Sequence, residues 1–209
     1  MADYTDGFDC IVIGAGIAGA SVAAELATDR RVLLLERESQ PGHHTTGRSA
    51  ALFTAAYGPP VIRALSRASA AFFQKSDSPH LTHPLLSPRG AVFVARHDQQ
   101  ESLNAMAEEL GDQVALLTGS EIESRVPLLR RGYATGGLLD ASAFDIDVHG
   151  LHQHYLKSFR AAGGVVQTKA EVMALSRDGG WPVGTPQGNF HAPIGVKSCP
   201  LNTLDADDE

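Results

Sequence analysis

The sequence GAGIAG at positions 14–19 constrains the fold of this chain more than any other feature. It matches the pattern G-x-G-x-x-G, follows a short apolar run at 8–13, and opens an alanine-rich stretch at 17–27 with helical spacing. A second apolar run at 31–35 follows and leads directly into Glu36. Because unbroken apolar runs are typical of parallel strands buried on both faces, this segment predicts a β-α-β unit of the Rossmann type.

The residue types in this unit explain how it would bind a dinucleotide. Gly14 permits a tight turn, Gly16 lets the backbone approach a pyrophosphate, and Gly19 lets the helix and the strand pack closely. The pyrophosphate then lies at the positive end of the helix dipole. Glu36 follows the motif at close to the roughly 20-residue spacing of an acid that binds ribose hydroxyls. We therefore predict a dinucleotide site, with a glycine-rich turn that binds nothing as the alternative.

The middle of the chain interrupts the nucleotide-binding unit. Residues 37–58 predict a long loop, and the helices and strands predicted between 61 and 162 do not continue the β-α-β pattern. A third buried strand is predicted at 165–168, followed by an antiparallel meander at 171–191. NAD and FAD share the same motif, but an NAD domain normally continues without such an interruption. The interruption favours FAD, whose length requires contacts beyond the first unit, and an NAD-dependent dehydrogenase is the alternative.

The predicted fold class is α/β, with a Rossmann-like FAD-binding domain that is split in sequence and part of an α+β substrate domain inserted into it. We expect residues 1–57 to form the first part of the FAD-binding domain and residues 58–160 to form the substrate-side domain. Residues 161–192 would return to the FAD-binding domain. Residues 193–209 contain two prolines, lack periodicity and end in DADDE, so we expect an irregular tail there.

Composition and charge exclude several other classes of protein. The formal net charge is −7 at pH 7 without any basic stretch, which argues against a nucleic-acid partner or an anionic membrane. The two cysteines, Cys10 and Cys199, lie far apart and predict neither a metal site nor a disulfide framework. The apolar run at 10–20 follows aspartates rather than basic residues, and no run of 18 apolar residues occurs. We therefore expect no secretory signal, no transmembrane segment and a cytoplasmic location.

Several segments of the chain resemble the FAD-dependent D-amino-acid oxidase superfamily, and more narrowly enzymes of the D-arginine dehydrogenase type. They are IGAGIAGAS at 13–21, LLERESQPG at 34–42, HHTTGRSAALFTAAYG at 43–58 and HPLLSPR at 83–89. The resemblance extends from about residue 8 to residue 190. It implies an enzyme that oxidises the CH–NH group of a D-amino acid or a related amine to an imine, which hydrolyses to a 2-oxo acid and ammonia.

The resemblance also implies which residues contact FAD. Ile17 and Ala18 join the three glycines of the motif at the cofactor. Arg37 lies beside the adenosine half, and the backbone of Val172 holds the adenine. The loop after the ribose-binding acid contacts the flavin through Thr45, Thr46, Gly47, Arg48, Ser49, Ala50 and Leu52. Relatives that bind FAD covalently carry a histidine where this chain has Arg48, so we expect non-covalent FAD, with a surface cation as the alternative role of Arg48.

The same resemblance places Tyr57 against a small-molecule amino-acid substrate, with a core aromatic beside Gly58 as the alternative. Two departures from the D-arginine dehydrogenase pattern argue against a cationic substrate. Ala91 stands where that enzyme has a glutamate that binds the guanidinium group, and Leu52 replaces a histidine near the flavin. Because a buried cation needs a partner, we expect a neutral or apolar D-amino acid, or an N-methyl amino acid.

Histidines form two further groups in the sequence. His149, His152 and His154 lie on one predicted helix, where we expect a solvated face rather than a metal site because no further ligands lie at close spacing. His43 and His44 lie in the predicted flavin loop and receive no catalytic role. No catalytic residue and no metal ligand is assigned in this chain.

The stretch from residue 192 onward matches nothing in the superfamily. The segment that closes over the flavin in the superfamily is not recognised, and neither are most of the residues that bind the substrate carboxylate. We therefore keep an alternative for this polypeptide, namely a truncated, non-catalytic fragment that binds FAD or ADP.

Overall fold

The computed structural model describes residues 4–5, 7–74 and 78–198, and these residues form two compact units. The first unit contains residues 4–5, 7–49, 78–83 and 148–198, and the second contains residues 50–74 and 84–147. The second unit is therefore an insertion into the sequence of the first. The helix that ends the expected 58–160 segment is grouped with the first unit, because its Leu156 and Phe159 are buried in the core of that unit.

The helices within the described residues are α1 (Ile17–Leu26), α2 (Pro60–Gln74), α3 (Gln100–Leu110), α4 (Gly119–Arg125) and α5 (Val148–Ala161). The strands are β1 (Tyr4–Thr5), β2 (Cys10–Ile13), β3 (Val32–Leu35), β4 (Leu52–Phe53), β5 (Leu86–Pro88), β6 (Ala91–Ala95), β7 (Ala115–Thr118), β8 (Gly136–Asp140), β9 (Phe144–Ile146), β10 (Val165–Gln167), β11 (Ala174–Leu175), β12 (Trp181–Thr185), β13 (Gly188–Ala192) and β14 (Ile194–Lys197). Short 3₁₀ helices cover Thr46–Arg48, His97–Gln99 and Gly111–Gln113. Among the helices described, none combines the length and the apolar character needed to cross a membrane.

A parallel sheet of order β10-β3-β2-β14 forms the centre of the first unit. Strands β2 and β3 are buried along their whole length, which explains their unbroken apolar sequences. Leu33 of β3 pairs with Ile11 of β2 on one side and with Val165 of β10 on the other. The prediction that the strand near 165–168 shares a sheet with the two N-terminal strands is therefore confirmed, as is the α/β class.

The two faces of the parallel sheet are covered by different elements. Alanines of α1, including Ala20 and Ala23, pack with Leu156 and Phe159 of α5 on one face. On the other face, Val183 and residues of β13 pack against β2 and β3. Strands β11, β12 and β13 are antiparallel neighbours, as the sequence predicted for this meander, and β1 adds a parallel strand to β13.

The expectation of an irregular tail is wrong for residues 194–197. These residues form β14, which pairs in parallel with β2 in the register Ile194 with Cys10 and Lys197 with Ile13. Strand β14 lies at the edge of the sheet, where short length and incomplete burial weaken the apolar pattern, and Pro193 precedes its first residue without interrupting the ladder. Residues 199–209, the rest of the expected tail, lie outside the described residues.

The second unit is an antiparallel α+β unit. Its sheets have the orders β4-β9-β5 and β6-β8-β7, with all described pairs antiparallel. Leu138 of β8 is fully buried against Leu103 of α3, and Ile122 of α4 packs with Leu117 of β7. Strands β5, β7 and β9 were not predicted, because each has at most four residues and lacks a clear two-residue alternation.

Candidate functional site

The glycine-rich turn after β2 has the geometry that its sequence predicts. Gly14 has a φ of 97°, a backbone conformation that side chains with a Cβ rarely adopt. A Cβ added at Gly19 would lie 1.8 Å from the carbonyl oxygen of Gly14. The start of α1 therefore lies against the turn at a distance that only glycine permits.

The N-terminus of α1 presents unpaired backbone donors. The N–H of Ile17 donates to Oγ1 of Thr46 at 2.9 Å. The N–H groups of Gly16, Ala18 and Gly19 have no acceptor among the described residues. Because the first N–H groups of a helix need partners from outside the helix, this end of α1 fits a pyrophosphate.

Glu36 lies at the end of β3 with its carboxylate directed back to the glycine-rich turn. Its side chain is buried, one oxygen accepts a hydrogen bond from the Ala15 N–H at 2.9 Å, and the other accepts from the Glu38 N–H at 3.0 Å. Each carboxylate oxygen keeps acceptor capacity after one such bond. The chemistry of this side chain fits a ribose diol, and it also ties the turn to the end of β3.

The loop predicted to contact the flavin is only partly anchored to the first unit. Thr46 is half-buried at the N-terminus of α1, and the N–H of Gly47 donates to the Gly42 carbonyl at 2.8 Å. The remaining predicted flavin contacts of this loop are exposed, namely Thr45, Gly47, Arg48, Ser49 and Ala50. Thr46 is therefore brought to the dinucleotide motif, and contact of Thr46 and of the other loop residues with a flavin stays a prediction.

Arg37 belongs to a polar group at the start of this loop. Its Nε donates to Oε1 of Glu38 at 3.2 Å, and Nε2 of His44 lies 2.8 Å from the same oxygen. The hydrogen bond from His44 lowers the pKa of the exposed Glu38 carboxyl below its ordinary value. Arg37 and His44 thus hold the loop to the end of β3, while contact of Arg37 with an adenosine stays a prediction.

Val172 combines a buried side chain with a free backbone. Its side chain packs in the same cluster as Ile11 and Leu33. Its own N–H and C=O have no hydrogen-bond partner in the described part of the chain. A backbone fixed in position with both polar groups unpaired fits the edge of an adenine, which offers a donor and acceptors.

His152 is a buried residue of the dinucleotide region that the sequence did not identify. Its ring is 3% exposed, and Nε2 donates to the carbonyl oxygen of Ala15 at 2.9 Å. The expectation of a solvated face is therefore wrong for His152, because α5 packs along α1 and directs this residue to the turn. Burial lowers the pKa of His152 below its ordinary value.

Ser198 is a second residue that the sequence did not identify. Its Oγ lies 2.8 Å from the carbonyl oxygens of both Ile13 and Gly14, and its N–H donates to Ile13 at 3.0 Å. Ser198 thus fixes the turn from the side of β14. No signal in the sequence marks it, because its role depends on the pairing of two strands far apart in the chain.

Acidification is expected to destabilise the first unit through His152. The folded state holds the pKa of this histidine below the unfolded value of about 6.5, so the unfolded chain binds more protons as the pH falls below that value. The free energy of unfolding, measured with urea between about pH 8 and pH 5, should therefore fall on the acid side.

A matched variant separates this effect from other titrations. His152→Gln keeps an N–H donor for the Ala15 carbonyl but does not titrate, so its loss of stability on acidification should be smaller. The exposed His43 provides the control, and His43→Gln should keep the wild-type pH dependence. An equal pH dependence in wild type and His152→Gln would contradict the prediction. His154, whose pKa burial also lowers, contributes to the part that remains.

The second unit contains a cavity of about 560 Å³. It is lined by Leu52, Thr54, Tyr57, Arg89, Gly90, Ala91, Val92, Phe93 and Val126. Tyr57 is 66% exposed, so the alternative of a core aromatic is wrong. The three positions singled out for flavin or substrate contact in this part of the sequence, Leu52, Tyr57 and Ala91, line one cavity. Arg89 lines it as well and donates to Oδ1 of Asp145 at 2.7 Å.

Comparison with known proteins agrees with FAD as the cofactor. The family described as DAO, FAD dependent oxidoreductase, matches residues 9–197. The expectation that nothing from residue 192 onward matches the superfamily is therefore wrong for residues 192–197. L-2-Hydroxyglutarate dehydrogenase of Escherichia coli strain K12 is 28% identical over 207 residues, which cover 92% of this chain and 47% of the relative. The protein of the same name from Salmonella houtenae is 27% identical over 193 residues, 87% of this chain and 44% of the relative. The chain thus spans about half the length of these curated relatives.

Solved structures show the same fold. Glycine oxidase from Geobacillus kaustophilus has a TM-score of 0.78 at 20% identity, over 93% of this chain and 55% of the oxidase. An unusual amino acid oxidase essential for nikkomycin biosynthesis has a TM-score of 0.80 at 23% identity, over 96% and 53%. L-α-Glycerophosphate oxidase from Mycoplasma pneumoniae, solved with FAD bound, has a TM-score of 0.76 at 16% identity, over 91% and 53%.

Proposed function

Because the chain belongs to the DAO family of FAD-dependent oxidoreductases, we propose that it is the FAD-binding part of an enzyme that oxidises the CH–NH group of a D-amino acid or a related amine. The product is an imine, which hydrolyses to a 2-oxo acid and ammonia. The bound flavin supplies the hydride acceptor for such a reaction. The observation that carries the proposal is the cavity lined by Leu52, Tyr57 and Ala91, in the unit that begins directly after the proposed flavin loop.

The cofactor is held without a covalent bond in this proposal. The unpaired N–H groups at the start of α1 bind the pyrophosphate, Glu36 binds the ribose, and the backbone of Val172 binds the adenine. The exposed loop residues Thr45–Ala50 contact the flavin, with Arg48 in the position of the histidine that other relatives use for covalent attachment. These side chains and backbone groups position the cofactor, and Arg48 balances part of the pyrophosphate charge.

The lining of the cavity supports a neutral or apolar substrate side chain. Most of its lining residues are apolar, and those described include no aspartate or glutamate. A cationic side chain would therefore lose water without gaining a carboxylate at the cavity wall. Tyr57, exposed at 66%, offers both a ring face and a hydroxyl to a ligand.

A second candidate is the oxidation of the CH–OH group of a 2-hydroxy acid. It is favoured by the L-2-hydroxyglutarate dehydrogenases among the relatives. Arg89, which lines the cavity and also pairs with Asp145, can bind a carboxylate of either substrate class. Such a reaction also removes a hydride from Cα, and its product is a 2-oxo acid without release of ammonia.

Anaerobic bleaching of bound flavin distinguishes the two reactions. The FAD-loaded chain is mixed separately with the two members of each of two pairs, and flavin absorbance is followed for hours. One pair is D-valine and D-2-hydroxyisovalerate, and the other is D-glutamate and L-2-hydroxyglutarate. Bleaching by the amine of a pair supports amine oxidation, and bleaching by the hydroxy acid supports the second candidate. FAD binding without bleaching by any of them supports the non-catalytic fragment.

The remaining parts of the proposal concern partners and location. We propose a small-molecule substrate rather than a nucleic acid, which the net charge of −7 supports. We also propose a cytoplasmic location, supported by the two cysteines, which lie far apart in the sequence as in proteins of reducing compartments.

Glu36→Ala is expected to weaken FAD binding by about 1–3 kcal/mol, because a charged hydrogen-bond acceptor for the ribose is lost. The quantity to measure is the dissociation constant from quenching of FAD fluorescence. Glu108→Ala, which removes an exposed carboxylate from the second unit, is the control and should leave this constant unchanged. Equal affinities for wild type and Glu36→Ala would remove Glu36 from the cofactor site.

A further inference from the structure

A buried carboxylate lies beside the cavity of the second unit and has no ion-pair partner among the described residues. Asp140, the last residue of β8, is 1% exposed. None of the salt bridges within the described residues includes it. Its Oδ1 accepts hydrogen bonds from the N–H and the hydroxyl of Ser142, and its Oδ2 accepts one from the hydroxyl of Thr54 at 2.5 Å. Because a buried charge is costly without a full set of partners, this arrangement fixes the direction of every donor around it.

The hydroxyl of Thr54 is therefore restricted to one orientation. A threonine hydroxyl has one proton and two lone pairs. Its proton is donated to Asp140, and one lone pair accepts from the N–H of Ala56 at 3.0 Å. One lone pair remains. Thr54 is 7% exposed and is one of the residues that line the cavity, so this lone pair is the hydrogen-bonding capacity that its hydroxyl keeps for a ligand there.

Asp140 lies opposite one of the residues that line the cavity. Asp140 pairs directly with Ala91 of the neighbouring strand β6. Directly opposite residues of an antiparallel pair lie on the same face of the sheet. The buried carboxylate thus lies on the face that carries Ala91, and its hydrogen bond to Thr54 connects it to a second lining residue of the cavity.

We propose that Asp140 is a positioning residue that makes Thr54 an acceptor-only group, so that the cavity selects ligands with an N–H or O–H donor at that point. The inference deepens the proposed function and rests on it only in taking this cavity as the ligand site. The amino group of an amine substrate and the hydroxyl of a 2-hydroxy acid both belong to the selected class, whereas an ether or a carbonyl at the same point does not.

Replacing Asp140 by asparagine should invert this preference. The asparagine oxygen must stay toward the two donors of Ser142, which places its NH₂ group toward Thr54. Thr54 then accepts from that NH₂ group and from the Ala56 N–H, and its own proton becomes free for a ligand. Asp140→Asn therefore changes Thr54 from an acceptor into a donor at nearly constant volume.

Pyrrole and furan are suitable probes, because they are neutral rings of similar shape and size that differ in carrying an N–H donor or an oxygen acceptor. Their neutrality removes the direct effect of the charge lost in Asp140→Asn. Dissociation constants are measured by NMR on threonine-methyl-labelled protein. In wild type, pyrrole is expected to bind about threefold to tenfold more tightly than furan, the range that one hydrogen bond provides.

The variants are expected to differ in the ratio of their affinities for pyrrole and furan. Asp140→Asn should make furan the tighter ligand, Thr54→Val should bring the two affinities together, and Thr54→Ser should keep the wild-type preference. Ser142→Ala, which leaves the bond between Thr54 and Asp140 in place, is the control for damage to the network. Three results would overturn the inference. They are a ratio of pyrrole to furan affinity that Asp140→Asn leaves unchanged, equal affinities of the two rings for wild type, and no binding of either ring.

A direct measurement keeps the inference testable if Asp140→Asn does not fold. In wild type the hydroxyl proton of Thr54 should exchange slowly with water and be observed by NMR, and rapid exchange would overturn the inference. FAD titration of the same samples separates this result from the proposed function. If the protein binds FAD but the ratio of pyrrole to furan affinity is the same in wild type and Asp140→Asn, only the role of Asp140 is contradicted. If that ratio changes but the protein does not bind FAD, only the proposed function is contradicted.

Discussion

The 209-residue chain, saturated with FAD, is expected to turn over D-amino acids far more slowly than about 1 s⁻¹, the low end of common enzyme rates. The lining of its cavity is open, with Tyr57 66% and Leu52 37% exposed. The proposed flavin contacts between Thr45 and Ala50 are largely exposed as well. A substrate in such a site is poorly positioned and remains hydrated, and positioning alone accounts for about 7–11 kcal/mol of barrier reduction in well-ordered sites.

The assay measures ammonia or 2-oxo acid with an artificial electron acceptor, and free FAD with the same substrates gives the background. Steady turnover at about 1 s⁻¹ or faster would show that the residues of this chain suffice to position the substrate. Release of a 2-oxo acid from a hydroxy acid at that rate would show the same for the second candidate reaction.

Gly19→Ala is expected to destabilise the first unit by about 2–4 kcal/mol and to abolish detectable FAD binding. Alanine normally favours a helix over glycine by about 1 kcal/mol, so a loss of stability would come from the clash alone. The added Cβ would lie 1.8 Å from the Gly14 oxygen. The turn cannot easily yield, because the Gly14 N–H donates to Leu35 and its carbonyl accepts from Ser198.

The control for this substitution is Gly132→Ala. Gly132 has a φ of 71° and nothing within 4 Å of an added Cβ, so alanine there meets backbone strain without a clash. That strain costs about 1–2 kcal/mol and should leave FAD binding intact. Urea denaturation and FAD titration of both variants test the prediction, which a wild-type affinity in Gly19→Ala would refute.

The elements predicted correctly are those with a strong local signal. Strands β2 and β3 are continuous apolar runs, and α1 follows a motif whose glycines have specific geometric roles. Strand β14 was missed because an edge strand of four residues, preceded by proline, carries little periodicity. Its existence depends on pairing with a strand more than 180 residues earlier in the sequence, which no local pattern reports.

The residues of the candidate site also divide into those with a local signal in the sequence and those without one. The motif and Glu36 follow from spacing, because a β-α-β unit brings its turn and the end of its second strand together. Ser198 and His152 contact the same turn through β14 and α5, so only tertiary packing identifies them. The network around Asp140 was also missed, since Thr54 lies 86 residues away from it in the sequence.

The pairing of β14 with β2 also has a consequence for how the chain folds as it is synthesised. Residues 10–13 leave the ribosome early, but the strand that covers one edge of β2 spans 194–197. Until those residues emerge, β2 has a free edge of apolar sequence, the kind of surface that pairs with other nascent chains. Closing a loop of this length is also slow compared with forming local contacts. Chaperones that bind extended apolar segments are therefore expected to matter most during the interval between synthesis of β3 and of β14.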